Sequence, residues 1–171
     1  MARPHRTPNE VTTSRTFFVT SSTAEKKSLF QSERFAQLFL LILYEYRAAS
    51  KYLLHEFVLM PDHFHLLLTV PTELTIERAM QFIKGGFSFR AKRELGITRE
   101  VWQKGFTDHR IRDARDFAEH REYIHRNPVK CGLVTAPADY RLSSARPGYE
   151  LDAAPYPAAK AAAQSESNRH D

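Results

Sequence analysis

Residues 59–71, Leu-Met-Pro-Asp-His-Phe-His-Leu-Leu-Leu-Thr-Val-Pro, decide how this chain folds. They read as a strand entered through a Pro61-Asp62 turn and ended by β-branched Thr69 and Val70. Side chains alternate across a strand, so His63 and His65 share one face while Phe64, Leu66, Leu68 and Val70 point into a core. Two imidazoles one residue apart on rigid backbone can hold a divalent ion; two histidines on a polar sheet face are the plain alternative. The motif is weak alone, and the rest of the chain has to decide between the two.

Working outward, residues 51–60 form a second strand, joined to the histidine strand as an antiparallel hairpin. Before it, Phe35, Leu38, Phe39, Ile42 and Tyr46 recur at spacings of three and four, which predicts a helix over 32–50. Residues 15–21, aromatic and β-branched, predict another strand. After the hairpin, Thr75 caps a helix over 75–95 with an apolar stripe of Ile76, Met80 and Ile83. Gly85-Gly86 in its middle predicts a kink or a close backbone approach. A strand is expected within 101–112, where Trp102 and Phe106 suit core packing or base stacking. A last helix is expected over 113–127, halted by Pro128. The order gives an α+β, ferredoxin-like split β-α-β-β-α-β antiparallel sheet with an added C-terminal helix. Residues 1–14 are expected as a flexible basic arm, 15–140 as the domain, and the Ala/Pro/Ser-rich 141–171 as a disordered tail.

Composition narrows the function classes. The longest apolar run, Leu38–Tyr44, ends after seven residues, far short of the roughly 20 a membrane span requires. The basic N-terminal stretch has no apolar segment behind it, so no secretory signal is read and a cytoplasmic address is expected. The single cysteine, Cys131, excludes an internal disulfide and a cysteine zinc site. A net charge of +5 leans toward a polyanionic partner. Lys84, Arg90 and Arg93 read as a solvated helix end or a phosphate-contacting face, and Arg110 and Arg112 as phosphate contacts or partners of Asp113 and Asp116.

On a helical wheel the last helix carries an apolar stripe of Ala114, Phe117, Ala118 and Ile124. Tyr123 falls roughly opposite, on a polar stripe with Asp116, His120 and Asn127. A structural tyrosine belongs beside the core stripe, so Tyr123 is either a surface residue or a presented nucleophile. Asn127, one turn on, shares its face.

Taken together, Met60–Leu68 (MPDHFHLLL), the W-Q…F-x-D-H-x-I-R pattern over 102–112 and YIHRNPVKCGLV over 123–134 resemble the REP-associated tyrosine transposases. These are a branch of the HUH single-strand DNA transposases, and the likeness spans about residues 15–145. The resemblance implies that His63 and His65 are metal ligands and Tyr123 the nucleophile of a 5′-phosphotyrosyl intermediate. Asn127 stands where relatives carry a polar third ligand; relatives outside this branch often have Gln, one methylene longer. The implied cofactor is Mg²⁺ or Mn²⁺, with zinc not excluded by the ligands. The implied partner is single-stranded DNA folded as a repetitive palindromic hairpin. The wider group forms dimers, and some members of this branch act as monomers. His120, on the tyrosine's stripe, is a candidate base. The rival functions are a hairpin-DNA-binding protein without transposition, an unrelated metal-dependent phosphoesterase, and a structural domain.

Overall fold

The computed structural model describes residues 15–156. Strand β1 (Thr16–Ser22) is followed by two short 3₁₀ turns and helix α1 (Glu33–Ala48). The hairpin of β2 (Leu53–Leu59) and β3 (His63–Thr69) comes next, then α2 (Ile76–Leu95), β4 (Thr107–Arg110) and α3 (Ala114–Lys130). The four strands form one sheet in the order β2-β3-β1-β4, with every neighbouring pair antiparallel. This is the expected split β-α-β-β-α-β sheet with one further helix.

Alternation along the strands divides the core between the sheet's faces. Val19, Leu54, Phe57, Phe64, Leu66 and Leu68 pack beneath Phe39, Ile42 and Leu43 of α1 and Met80, Ile83 and Phe87 of α2. On the other face Val58 and Leu67 meet Ile111, Phe117 and Ile124. A bulge between Leu54 and Glu56 shifts the phase of β2, which lets Leu54 and Phe57 join the same core although they are three residues apart. The sequence pattern left the last helix without a place. It covers the face carrying His63, His65 and Leu67.

Caps and turns fix the ends of these elements. The Met60 amide donates to the His63 carbonyl at 2.8 Å and closes the hairpin. Phe30 and Thr23 donate from outside the turn to the carbonyls of Pro61 and Asp62, at 3.0 and 2.9 Å. The Thr75 hydroxyl accepts from the Arg78 amide at 3.1 Å, and Gly96, with φ 70°, ends α2 in the left-handed region. Trp102 is core: its indole donates to the Lys84 carbonyl, and its ring packs on Phe30, Phe39, Phe64 and Phe87.

The paired glycines resolve as a close approach. A Cβ on Gly86 would sit 2.8 Å from the Tyr46 hydroxyl, whereas one on Gly85 would meet nothing within 4 Å. The two positions therefore answer oppositely to substitution. Gly85→Ala is expected to stabilise by about 0.5–1 kcal/mol through helix propensity. Gly86→Val is expected to destabilise by about 1–3 kcal/mol, because it overpacks the α1–α2 contact. Urea unfolding of both variants measures the contrast.

Three expectations need correction. Pro128 does not halt α3, which runs on to Lys130. In the last turn a proline forfeits only its own amide bond, while the carbonyls of Asn127 and Pro128 still accept from Cys131 and Leu133 at 3.1 and 2.9 Å. Nor does α3 pack by the whole predicted apolar stripe: Phe117 and Ile124 are buried as expected, Ala114 and Ala118 are exposed, and Asp116, Asn127 and Pro128 are buried in their place. The buried seam runs between the two predicted stripes, so Tyr123 lies on its flank and not opposite it.

The third correction concerns the tail. Residues 141–156 pack along β2: Leu142 is buried, its carbonyl accepts from Leu59 at 2.8 Å, and Ser144 donates to Phe57 at 2.9 Å. Asp152 accepts from the Leu54 amide at 2.8 Å and from Arg47 at 2.9 Å. A segment poor in bulky residues is held by backbone pairing that covers the sheet's open edge. The expected arm at 1–14 and the remainder of the tail, 157–171, lie outside the described residues. Among the described residues no helix is long and apolar enough to cross a membrane.

Candidate active site

The β1–β3 register sets His63 across from Ser22 and His65 across from Thr20. The Thr20 hydroxyl lies 2.6 Å from His65 Nδ1 and fixes that ring, leaving Nε2 toward α3. His63 Nδ1 lies 2.6 Å from the Asp62 carboxylate. A carboxylate accepts, so His63 donates through Nδ1, and in the neutral ring the lone pair lies on Nε2. The two rings sit 4.9 Å apart at 78°. Burial, with His63 beside it, pushes the His65 imidazolium down to about 3, so the ring is neutral at neutral pH.

Helix α3 brings the other two expected residues to the same place. Asn127 is buried with its Nδ2 3.5 Å from His65 Nε2, and its Oδ1 has no hydrogen-bond partner. Tyr123, 43% exposed, meets His65 edge-on at 5.2 Å. Phe18 of β1 is the floor of this corner: its ring stacks on His65 at 5.3 Å and meets Tyr123 at 5.8 Å. His125 ties the helix down on β2, its Nε2 2.9 Å from Glu56.

The donor set fits a divalent cation. Two imidazoles 4.9 Å apart lie beside an amide that turns its Nδ2 to His65 and leaves its Oδ1 buried without a partner, and a buried acceptor of that kind is costly unless a ligand completes it. Asn127→Leu, which removes that oxygen at similar volume, is expected to stabilise the metal-free protein by about 1 kcal/mol. Chemical denaturation in chelator checks it.

His120 shares the Phe18 ring with this corner. Its Nδ1 is 2.8 Å from the Asp116 carbonyl, and its ring stacks on His109 at 4.6 Å and leans on Phe18 at 4.7 Å. His109 in turn places Nε2 2.8 Å from the Asp116 carboxylate. Among the described residues, His109, Asp116 and His120 hold donor atoms within 4.8 Å of one another.

The expected DNA-contacting cations divide by face. Lys84, Arg90 and Arg93 ride on α2, across the sheet from Tyr123. Lys84 donates to the Gln103 and Gly105 carbonyls at 3.2 and 2.5 Å, and burial lowers its pKa. Arg90 is bound to Glu45 and Glu94. Lys84 and Arg90 are thus engaged within the fold, and Arg93 is exposed. Arg110 and Arg112 border α3, and the Arg112 side chain is 77% exposed with Nε 3.5 Å from Asp116.

Phe18, Thr20 and His109 are neighbours whose roles the sequence did not single out, and Asp62 and Asp116 were read only as a turn residue and as a member of the tyrosine's stripe. Asp62 was readable as the residue before His63. Thr20 and Phe18 enter through strand pairing across more than 40 residues, which no local pattern reveals.

A His-x-His strand centred in a split antiparallel sheet, with a tyrosine and an amide four residues apart on the helix above it, defines the HUH class of single-tyrosine transposase folds. A family model of IS200-like transposases matches residues 13–127, and the chain belongs to that family. It is 30% identical over 92 residues to the REP-associated tyrosine transposase of Escherichia coli, across 53% of this chain and 53% of that protein. It is 34% identical over 96 residues to a Haemophilus influenzae protein assigned to the same group, across 50% and 54%. The chain spans about half the length of the curated relatives it matches. A REP-associated tyrosine transposase solved bound to a REP hairpin superposes with a TM-score of 0.67 at 25% identity, over 90% of this chain and 92% of that one. A transposase-like protein of Deinococcus radiodurans shares the fold at a TM-score of 0.53 and 17% identity, over 72% and 94%.

Proposed function

We propose that this protein is a DNA transposase, a metal-assisted single-strand endonuclease that nicks and rejoins DNA at hairpin sites through a 5′-phosphotyrosine. The observation that carries the reading is the convergence of His63, His65, the unpartnered Asn127 Oδ1 and the exposed Tyr123 on one seam between β3 and α3. His63 and His65 through Nε2, and Asn127 through Oδ1, would hold Mg²⁺ or Mn²⁺, and a cation bound there neutralises charge on the scissile phosphate.

The chain's own residues account for the rest. Tyr123 attacks phosphorus, the Tyr123 O–P bond forms as the P–O3′ bond breaks, and a free 3′-OH results. The phosphotyrosyl bond keeps the energy of the broken linkage, so a 3′-OH can reverse the step and join strands without a nucleotide cofactor. The ring's exposure leaves the phenol open to a bent single strand. Arg110 and Arg112, bordering the same helix, are the phosphate contacts of this reading.

The test mixes the protein with 3′-labelled hairpin-flanked single-stranded DNA and Mn²⁺ or Mg²⁺, and looks for a covalent band on a denaturing gel. The expected result is an adduct that chelator abolishes. Shifted DNA without an adduct under any metal would instead establish a binding protein.

A further inference from the structure

We propose that His120 is the base that takes the phenol proton of Tyr123, and that Asp116 holds it for that task. The inference rests on the reading of Tyr123 as nucleophile. Asp116, His120 and Tyr123 are four and three residues apart on α3, so they lie along one side of the helix.

The tautomer of His120 follows from its partner. Nδ1 lies 2.8 Å from the backbone oxygen of Asp116, and a carbonyl only accepts, so Nδ1 carries the hydrogen. In the neutral ring Nε2 then carries the lone pair, the form a general base requires. The Asp116 carboxylate stands 3.1 Å from the same Nδ1 and is 6% exposed. Burial by itself would raise its pKa. Hydrogen bonds from His109 and the Arg112 amide, with the charges of His109 and His120, outweigh that and hold the carboxyl below its usual range. A buried anion beside Nδ1 stabilises the imidazolium formed when Nε2 takes a proton, as the aspartate of a serine-protease triad does.

The ring is also held mechanically. His109 stacks on it at 17°, and Phe18 leans against it at 4.7 Å. Phe18 touches Tyr123 with the same ring, so base and nucleophile rest on one aromatic floor. Charged or titratable groups around His120 include Asp116 and Tyr123 on its own helix, His109 from β4, and the exposed Arg112, whose Nε lies 3.5 Å from the Asp116 carboxylate. In the forward step the phenol proton moves to Nε2 as the Tyr123 O–P bond forms, and the departing 3′ oxygen takes a proton from solvent. When a 3′-OH attacks the phosphotyrosyl bond, that 3′-OH gives its proton to solvent and the imidazolium returns its own to the tyrosine oxygen.

Single-turnover adduct formation, hairpin affinity and melting temperature are to be measured for the parent, His120→Ala and Asp116→Asn with Mn²⁺ present. His120→Ala is expected to slow adduct formation about 10²–10⁴-fold with affinity unchanged, and added imidazole to restore part of the rate. Asp116→Asn, with His120 in place, is expected to slow it at least about tenfold. A folded, DNA-binding His120→Ala protein that forms adduct within roughly threefold of the parent rate overturns the proposal. So does one equivalent of zinc that survives in the His63→Ala/His65→Ala double variant and is lost with Asp116→Asn, since it assigns the cluster to a cation. No adduct from the parent protein itself overturns the tyrosine reading, a separate failure visible before any variant is compared.

Discussion

Replacing Tyr123 with phenylalanine is expected to abolish the covalent protein–DNA adduct while hairpin binding and folding are retained. The substitution deletes one oxygen and keeps the ring, and the ring makes the contacts with Phe18 and His65 that seat the side chain. With Tyr123 43% exposed, the change in stability is expected to stay within about 0.5 kcal/mol. The loss of adduct has no such graded scale, because an attack on phosphorus that leaves a phosphotyrosine needs the phenol oxygen. Denaturing gels read the adduct and melting curves read the fold. Cleavage that persists without an adduct would assign the chemistry to water. An adduct that persists would mean another side chain is the nucleophile.

The alternation through residues 63–70 carried most of the fold. It separated His63 and His65 from Phe64, Leu66 and Leu68, and the structure sends the two sets to opposite faces of the sheet. Helical periodicity placed α1 and α2 because large side chains recur there at regular spacing. The last helix was harder to read. Ala114 and Ala118 counted as apolar on the wheel, yet an alanine buries so little surface that it does not dictate a packing face. Asp116 and Asn127 counted as polar and are buried, each for a reason outside the helix: His109 on β4 for one, His65 on β3 for the other. The supports Thr20 and Phe18 depend on strand register, which long-range pairing sets. The tail was misread because much of its hold on β2 comes from backbone groups and Asp152, which add nothing to an apolar count, while its few apolar side chains, Leu142, Tyr149 and Leu151, are sparse in sequence yet reach the core.

His65→Ala and His63→Ala are expected to lose metal-dependent strand cleavage alike, each by at least roughly 10³-fold, the rate equivalent of several kcal/mol of charge stabilisation. Their structural costs differ, and that difference makes the pair informative. His65 is 4% exposed, stacked on Phe18 and bonded to Thr20, so its deletion opens a cavity and is expected to cost about 2 kcal/mol of stability. The His63 side chain is 24% exposed and held mainly by Asp62, so its loss is expected to cost under about 1 kcal/mol. If cleavage tracked stability, His63→Ala would remain largely active. If it tracks the ion, both variants fall together and both lose the metal-induced rise in melting temperature that ligand linkage is expected to give the parent protein. Titrating Mn²⁺ against melting temperature for the three proteins, with adduct formation measured on the same samples, decides between these outcomes. A His63→Ala protein that keeps its metal response would place the ion elsewhere in the molecule.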